Sequence, residues 1–475
     1  MKAALARAAY STLLRLATPL YLARLLWRSR REPLYRMHLG ERLGFAAGGG
    51  AGGSGNGTAR APGALWLHAV SLGETRAAAA LVDELRRQRP GLRLLLTHGT
   101  ATGRAAGVPL LREGDAQAWL PYDTPGAVRR FLAAWRPAAG VIMETEVWPN
   151  LLHEAAAAGV PLVLANARLS ERSQRKGERF AALMRPAAAC LTLALAQTEA
   201  DAKRLREAGV REVQVPGNLK FDMAPAPALL QAGQRWRAAL EGRAVVMFAA
   251  SREGEEAALL DAWRRALAPA AEPGPGPAAA AARPLLLVVP RHPQRFDEVA
   301  ALVAARGFTL ARRSDWNAAT AGAGTAPVSA LRAGTPPVSA LRAGTPPVSA
   351  LRADVWLGDS MGEMPLYYAL ASLALLGGSF APLGGQNLIE AAACACPVLM
   401  GPHTFNFAQA AEGALAAGAA DRVADLDAAV GRAIAWLGEP QALAERSRRA
   451  TAFAAEHRGA AARVAAAVLA LLPGA

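Results

Sequence analysis

Apolar and polar positions change period most sharply in Leu65–Arg76, LWLHAVSLGETR: an apolar run to Val70, a break at Ser71–Gly73, then a helical pattern opened by Glu74. The spacing predicts a buried strand turning into a helix. That places one carboxylate at the carboxyl end of a strand, the edge where ligands bind in open parallel α/β sheets. A first-turn acid also complements the helix dipole, so Glu74 taken alone reads first as an ordinary helix start.

The same strand-then-helix alternation repeats along the chain. Ala64–Val70, Arg93–His98, Ala118–Pro121, Gly140–Glu144, Pro161–Asn166, Cys190–Ala196 and Glu212–Pro216 are short apolar runs bounded by Gly, Pro, Asn or Asp and separated by helical patterns. A break at GNLKFD (Gly217–Asp222) and Met223–Pro227 ends this series. A second series runs through Ala244–Ser251, Pro284–Pro290, Gly307–Ala311, Val355–Gly358, Leu373–Gly377 and Pro397–Met400. Strands alternating with helices imply parallel sheets covered on both faces. The expected fold is therefore α/β, with two doubly wound Rossmann-like domains at 64–222 and 244–438. A linker is expected at 223–243, and a helical segment at 439–475 packing back toward the first domain.

Three stretches depart from this rhythm. Residues 46–63, AAGGGAGGSGNGTARAPG, read as a Gly-rich flexible connection. Residues 272–284 form a Pro/Ala/Gly run expected as a surface loop. Residues 324–353 are three near-identical decapeptides, GTAPVSALRA and twice GTPPVSALRA, too broken by Gly and Pro to stack and expected as an expanded surface loop.

Met1–Phe45 carries a different pattern. Leu5, Ala9, Leu13, Leu16, Leu20 and Trp27 share one helical face, with Arg7, Arg15, Arg24 and Arg28 on the other side. This predicts an amphipathic helix lying at an anionic membrane surface, with an ordinary helix packed on the body of the protein as the other reading of the same pattern. The longest uncharged run, Leu16–Ala23, is too short to span a bilayer.

Length and charge refine the picture. At 475 residues one core is insufficient, so two domains are expected. The net charge is +15, and Met1–Phe45 contributes +7 of it. Only four of the 53 basic residues are lysines (Lys2, Lys176, Lys203, Lys220), so the retained Lys220 in GNLKFD stands out as a compact point charge. Basic charge permits a nucleic-acid partner, but the interleaved aromatic and basic positions of a base-stacking platform are missing. Cys190, Cys394 and Cys396 have no C-x₂-C spacing, which suits free thiols in a reducing compartment.

The residues able to do chemistry fall on the strand-end loops: Ser71–Glu74, Glu144–Glu146, Asn166–Arg168, Ser251–Gly254, Arg291–Pro293, Gly358–Met364 and Gly384–Asn387. Two doubly wound domains would line a cleft with such loops. In the second domain Gln386-Asn387 opens a helix whose N–H groups suit a phosphate, Glu390 can accept ribose hydroxyls, and Arg291 supplies positive charge. A plain helix cap with a surface glutamate is the other reading of the same residues. Without further context Glu144 reads equally as a structural acid, and His68, inside the first strand, as a satisfied core residue.

HAVSLGE, METEVWPN, NARLS, GNLKFD, PRHPQRF, GDSMGEM and GGQNLIEAAACACPVLMGPHTFNF, in that order, resemble the 3-deoxy-D-manno-octulosonic acid (Kdo) transferases of lipopolysaccharide assembly. The resemblance implies a GT-B fold and inverting transfer of Kdo from CMP-Kdo to the lipid A precursor, lipid IVA, at the cytoplasmic face of the inner membrane. It implies that Glu74 accepts the acceptor hydroxyl's proton and that Glu144 and Lys220 stabilise the transition state. It further implies CMP contacts from Pro290, Arg291, Gly362, Glu363, Met364, Asn387, Leu388, Ile389 and Glu390. Where many members carry a Ser-Thr-His-Glu-Gly-Glu-Glu run, this chain has SREGEE (Ser251–Glu256), one residue shorter and with Arg252 in place of His. That points to Ser251 and Arg252 as contacts for the Kdo carboxylate or the phosphate. No metal or cofactor is expected, since Arg, Lys and helix dipoles can offset the leaving group's charge. Another GT-B nucleotide-sugar transferase or epimerase is the alternative enzyme.

Overall fold

The seven apolar runs of the first half become seven strands: β1 (Leu65–His68), β2 (Leu94–His98), β3 (Ala116–Trp119), β4 (Ala139–Met143), β5 (Leu162–Ala167), β6 (Leu193–Ala196) and β7 (Val213–Gln214). In the computed structural model, which describes residues 1–30, 32–45, 63–268, 283–317 and 346–473, they form one parallel sheet in the order β3-β2-β1-β4-β5-β6-β7. Successive side chains alternate faces as the strand period demands. Leu65 and Leu67 join a core with Leu81 and Leu85 of the helix Leu72–Gln88, while Trp66 points to the other face and meets Phe131 edge-on at 5.1 Å.

The second half repeats the plan. Strands β8 (Val245–Ser251), β9 (Leu285–Pro290), β10 (Leu310–Arg312), β11 (Val355–Leu357), β12 (Leu373–Leu376), β13 (Val398–Met400) and β14 (Ala420–Arg422) lie parallel in the order β10-β11-β9-β8-β12-β13-β14. β14 has no counterpart among the sequence-predicted strands, because in Ala420-Asp421-Arg422 only Ala420 is buried and no apolar run marks it. In each sheet the winding direction reverses once, between β1 and β4 in the first and between β8 and β12 in the second. Ligands bind at such switch points, outside the carboxyl ends of the strands.

The chain divides into two units, Met1–Met223 with His457–Ala475, and Ala224–Glu456. Residues 223–243 are therefore not a free linker. Most of them form the helix Pro227–Ala239, whose Leu229, Ala232, Gly233 and Trp236 face inward, with Trp236 edge-on to Trp316 at 4.9 Å. The segment 439–475 is two helices rather than one. Pro440–Glu456 stays with the second unit, and Ala460–Leu469 packs Val464 and Val468 into the first unit's core.

The N-terminal helix Lys2–Arg28 sits on the first unit through Tyr10, whose hydroxyl donates to Asp123 at 2.9 Å, and Ser11, which donates to Asn150 at 3.0 Å. Its other face leaves Leu5, Leu13, Leu16, Leu20 and Trp27 between 64% and 73% exposed. No helix among the described residues is long and apolar enough to cross a membrane. The Gly-rich stretch 46–62, residues 269–282 and residues 318–345 lie outside the described residues. The end of the last decapeptide is described, and it belongs to the fold: Val348–Leu351 is helical, Ala350 and Ala353 are buried, and the Ala350 carbonyl accepts from Trp356.

Candidate active site

In the first unit β1 and β4 are neighbours at the switch point, and each delivers an acid just past its carboxyl end. After β1, Ser71 caps the helix Leu72–Gln88 by accepting the N–H of Glu74. The Glu74 carboxylate reaches back to accept from the Ser71 hydroxyl at 2.9 Å and the Val70 N–H at 2.7 Å. Ser71 and Glu74 thus cap the helix start between them, so the helix-start reading of Glu74 is realised. It does not exhaust the residue. Burial pushes the carboxyl up to about 7, against the pull of Val70 and Ser71, and the nearby charges of Glu144 and Glu146 add to the rise. A carboxylate poised near neutral pH can take a proton from a reacting hydroxyl.

Glu144 follows β4 in the left-handed region, φ +61°. Its carboxylate meets the Lys220 ammonium at 3.0 Å, both side chains being about three-quarters buried, at 25% and 21% exposure. Lys220 rides on the turn Leu219–Asp222 at the end of GNLKFD. The structure thus gathers Glu74, Glu144 and Lys220 around one sheet edge, with the half-buried Glu146 beside them. His68 lies in the core, fully buried with Nδ1 at 2.9 Å from the Thr97 hydroxyl, but its Nε2 has no partner, so it is only half satisfied. Burial lowers its pKa to about 3 and keeps the ring neutral.

In the second unit the switch point joins SREGEE, after β8, to Gly377–Ser379, after β12. The residue that joins them is Glu255, to which no role follows from sequence. Its buried carboxylate accepts from the N–H groups of Gly378 (2.8 and 2.9 Å), Ala381 and Arg252. A Cβ on Gly377 would lie 2.5 Å from the Ala250 carbonyl oxygen, so only glycine lets the two loops close this far. Ser251 is turned inward, donating to Glu256 at 2.8 Å, and Arg295 holds the same carboxylate at 2.7 Å. The Ser251 hydroxyl is therefore part of the framework that holds this loop. Arg252 and Arg291 remain at the edge with Arg295, and all three depress the His292 pKa after burial does.

The remaining expected nucleotide contacts divide. Pro290 ends β9, buried, and hands on to the exposed Arg291, whose N–H donates to the Ser251 carbonyl at 3.0 Å. The Tyr368 phenol is fully buried, and its pKa is raised first by burial and then by the charge of Glu390, with Arg291 opposing the rise. Gly362 turns at φ +85° into the helix opened by the half-buried Met364. Glu363 is 2% exposed and engages Arg313 through both oxygens at 2.9 and 3.0 Å, with Ser360 on the same carboxylate. Its side chain is thus a buried ion pair that builds the loop. Asn387 caps a six-residue helix by accepting from Ile389, and Leu388 and Ile389 are 1% exposed, so those two side chains are core. Asn387 thus caps this helix start, while Glu390 is half-buried rather than a surface charge.

Comparison with known proteins completes the site's context. A family model described as 3-deoxy-D-manno-octulosonic-acid transferase (kdotransferase) matches residues 37–223. A 3-deoxy-D-manno-octulosonic acid transferase of Bordetella pertussis is 47% identical over 85% of this chain and 87% of its own. A 3-deoxy-D-manno-octulosonic acid transferase of Haemophilus influenzae is 31% identical over 84% of this chain and 82% of its own. Among solved structures, Anabaena HepE in complex with UDP aligns with TM-score 0.52 and 14% identity, covering 86% of this chain and all of that one, a likeness of fold.

Proposed function

Because the chain belongs to the 3-deoxy-D-manno-octulosonic acid transferase family, and so is a GT-B glycosyltransferase that transfers Kdo, we propose that it moves Kdo from CMP-Kdo to lipid IVA with Glu74 as the general base. One observation carries the assignment: at the switch point of the first sheet a half-buried carboxyl is raised to about 7 next to the Glu144–Lys220 pair. The acceptor's hydroxyl gives its proton to the Glu74 carboxylate as its oxygen attacks the anomeric carbon, and CMP departs with the electron pair of the broken bond. Lys220 offsets negative charge on the Kdo carboxylate or the departing phosphate, and Glu144 holds its ammonium in place. In the second unit Arg252 and Arg291 receive the donor's anionic groups, with Glu255 fixing the loop on which Arg252 stands.

The N-terminal helix fits the same reading. Its exposed leucines and Trp27, with Arg15, Arg24 and Arg28, suit a bilayer with anionic headgroups, where a lipid acceptor is presented. We propose that this helix holds the enzyme at a membrane surface, and that the surface is the cytoplasmic face of the inner membrane, as the sequence resemblance implies.

The test is CMP release from CMP-Kdo with lipid IVA. Glu74→Gln should lose about 10²–10⁴-fold in turnover, the usual worth of a general base. Near-normal turnover in that variant excludes Glu74 from the role. CMP, and not UDP, should raise the melting temperature, which separates this reading from a UDP-sugar transferase or epimerase.

A further inference from the structure

Lys220 is carried by the four-residue 3₁₀ turn Leu219–Asp222, and a turn of that length does not hold a side chain in place by itself. It is tied down from two sides. On one side β5 ends in a bulge, its register shifting between Ala165 and Ala167, and the bulged Asn166 adopts φ +52° with no exposed surface. The Asn166 side-chain oxygen accepts the N–H of Leu219 at 3.0 Å. On the other side the Asp222 carboxylate accepts the N–H groups of Gly459 at 2.6 Å and Ala461 at 2.7 Å. It thereby caps, from 237 residues away in sequence, the helix Ala460–Leu469, which has no side-chain cap of its own. Phe221 stacks on His457 at 4.7 Å, and Arg463 donates to the Pro216 carbonyl at 2.7 and 2.9 Å.

The capped helix has a second contact. It packs on Leu72–Gln88, the helix that Glu74 opens, through the core that Val464 and Val468 share with Leu81 and Leu85. One C-terminal helix therefore braces the element bearing Glu74 and the turn bearing Lys220. We infer that Asp222 is a positioning residue for the transfer reaction: it clamps the Lys220 turn to this helix and so fixes where the ammonium meets Glu144. Asn166 is the opposing pivot. Without the carboxylate the turn loses its hydrogen bonds to the start of this helix and keeps on that side only the Phe221–His457 stacking, the Arg463–Pro216 contact and the packing of Leu219, so Lys220 moves relative to the reacting groups.

This inference rests on the Kdo-transfer reading, and a double-mutant cycle tests it. With CMP-Kdo and lipid IVA, Asp222→Ala should lower kcat by about 10–100-fold, the scale of an ångström of misplacement, with KM for CMP-Kdo changed less than about twofold. Asp222→Asn keeps one carbonyl acceptor and should recover part of that loss; it also carries the cycle if the alanine variant does not fold. In a Lys220→Ala background the extra loss should fall below about twofold, because no ammonium remains to be misplaced. An equal loss in both backgrounds, or none in either, overturns the clamp. If the wild type releases no CMP, the functional reading fails separately, and the clamp is then read by amine labelling of Lys220 followed by mass spectrometry. Asp222→Asn should speed labelling at Lys220 several-fold with labelling at Lys203 unchanged, and an unchanged rate at Lys220 overturns it.

Discussion

Glu74, the general base of the proposed transfer, also starts its helix. Its oxygens accept from the Val70 N–H and the Ser71 hydroxyl at the helix start, and burial there raises its carboxyl to about 7. The base must be ionised to act, so kcat/KM should climb tenfold per pH unit below about 7 and level off above it, a profile measured by CMP release from pH 5 to 8.5. The same shift has a cost in stability, with the opposite dependence on pH. A carboxyl raised in the folded state contributes stability that is full below its unfolded value near 4.5 and lost as pH rises through 7. Glu74→Gln, neutral throughout, should therefore melt at or near the wild-type temperature at pH 5 and above it at pH 8, and a gap that shrinks with rising pH would contradict this. Glu363 is the contrasting case. Arg313 is 3% exposed and holds both its oxygens, so Arg313→Ala leaves a buried charge unpaired and should cost about 3–5 kcal/mol in a denaturant titration.

At the scale of elements, the N-terminal helix divides its work between two faces. Tyr10 and Ser11 bond to Asp123 and Asn150, and Asp123 in turn accepts from the N–H groups of Asn150 and Leu151 at the start of the helix that follows Glu144–Glu146. The leucines opposite stay exposed. Leu16→Glu with Leu20→Glu should therefore leave the melting temperature within a degree or two, since exposed sites shift stability by less than about 0.5 kcal/mol. The same pair should weaken binding to anionic liposomes at least tenfold, each buried apolar side chain being worth about 1.5–3 kcal/mol. Unchanged sedimentation with liposomes would remove the membrane role from this helix. The exposed face was legible in sequence because it follows the helical period, and so were thirteen of the fourteen strands, which are apolar runs bounded by breakers. The docking face was not, since Tyr10–Asp123 and Ser11–Asn150 are polar contacts between positions 113 and 139 residues apart. For the same reason Glu74, Glu144 and Lys220 could be named from local motifs, whereas Glu255, Asn166 and Asp222 act on backbone N–H groups far along the chain, and no local pattern announces such a bond. The helix Pro227–Ala239 is not announced by the break at GNLKFD that precedes it, and its Trp236 meets Trp316 and Trp356 only in the folded unit.

For the molecule as a whole, the chain's last nineteen residues matter more than their Ala-rich sequence suggests. The first unit is discontinuous: its core takes Val464, Val468 and Leu472 from beyond the whole of the second unit. Those three are at most 5% exposed, and at about 1.5–3 kcal/mol for each fully buried side chain they represent several kcal/mol. A domain's entire margin is about 5–15 kcal/mol, so ending the chain at Glu456 should bring the first unit to the edge of unfolding. The second unit should be spared, because Pro440–Glu456 is kept and its Phe453 and Ala454 remain packed. The expected result is two separated thermal transitions in place of the intact chain's behaviour. The lower one belongs to the first unit and does not respond to nucleotide, while the upper one still rises with CMP. A truncated chain that melts like the intact one would show that the C-terminal helix contributes little to the first unit. Loss of the CMP-dependent shift would instead show that the donor loops depend on the first unit for their fold.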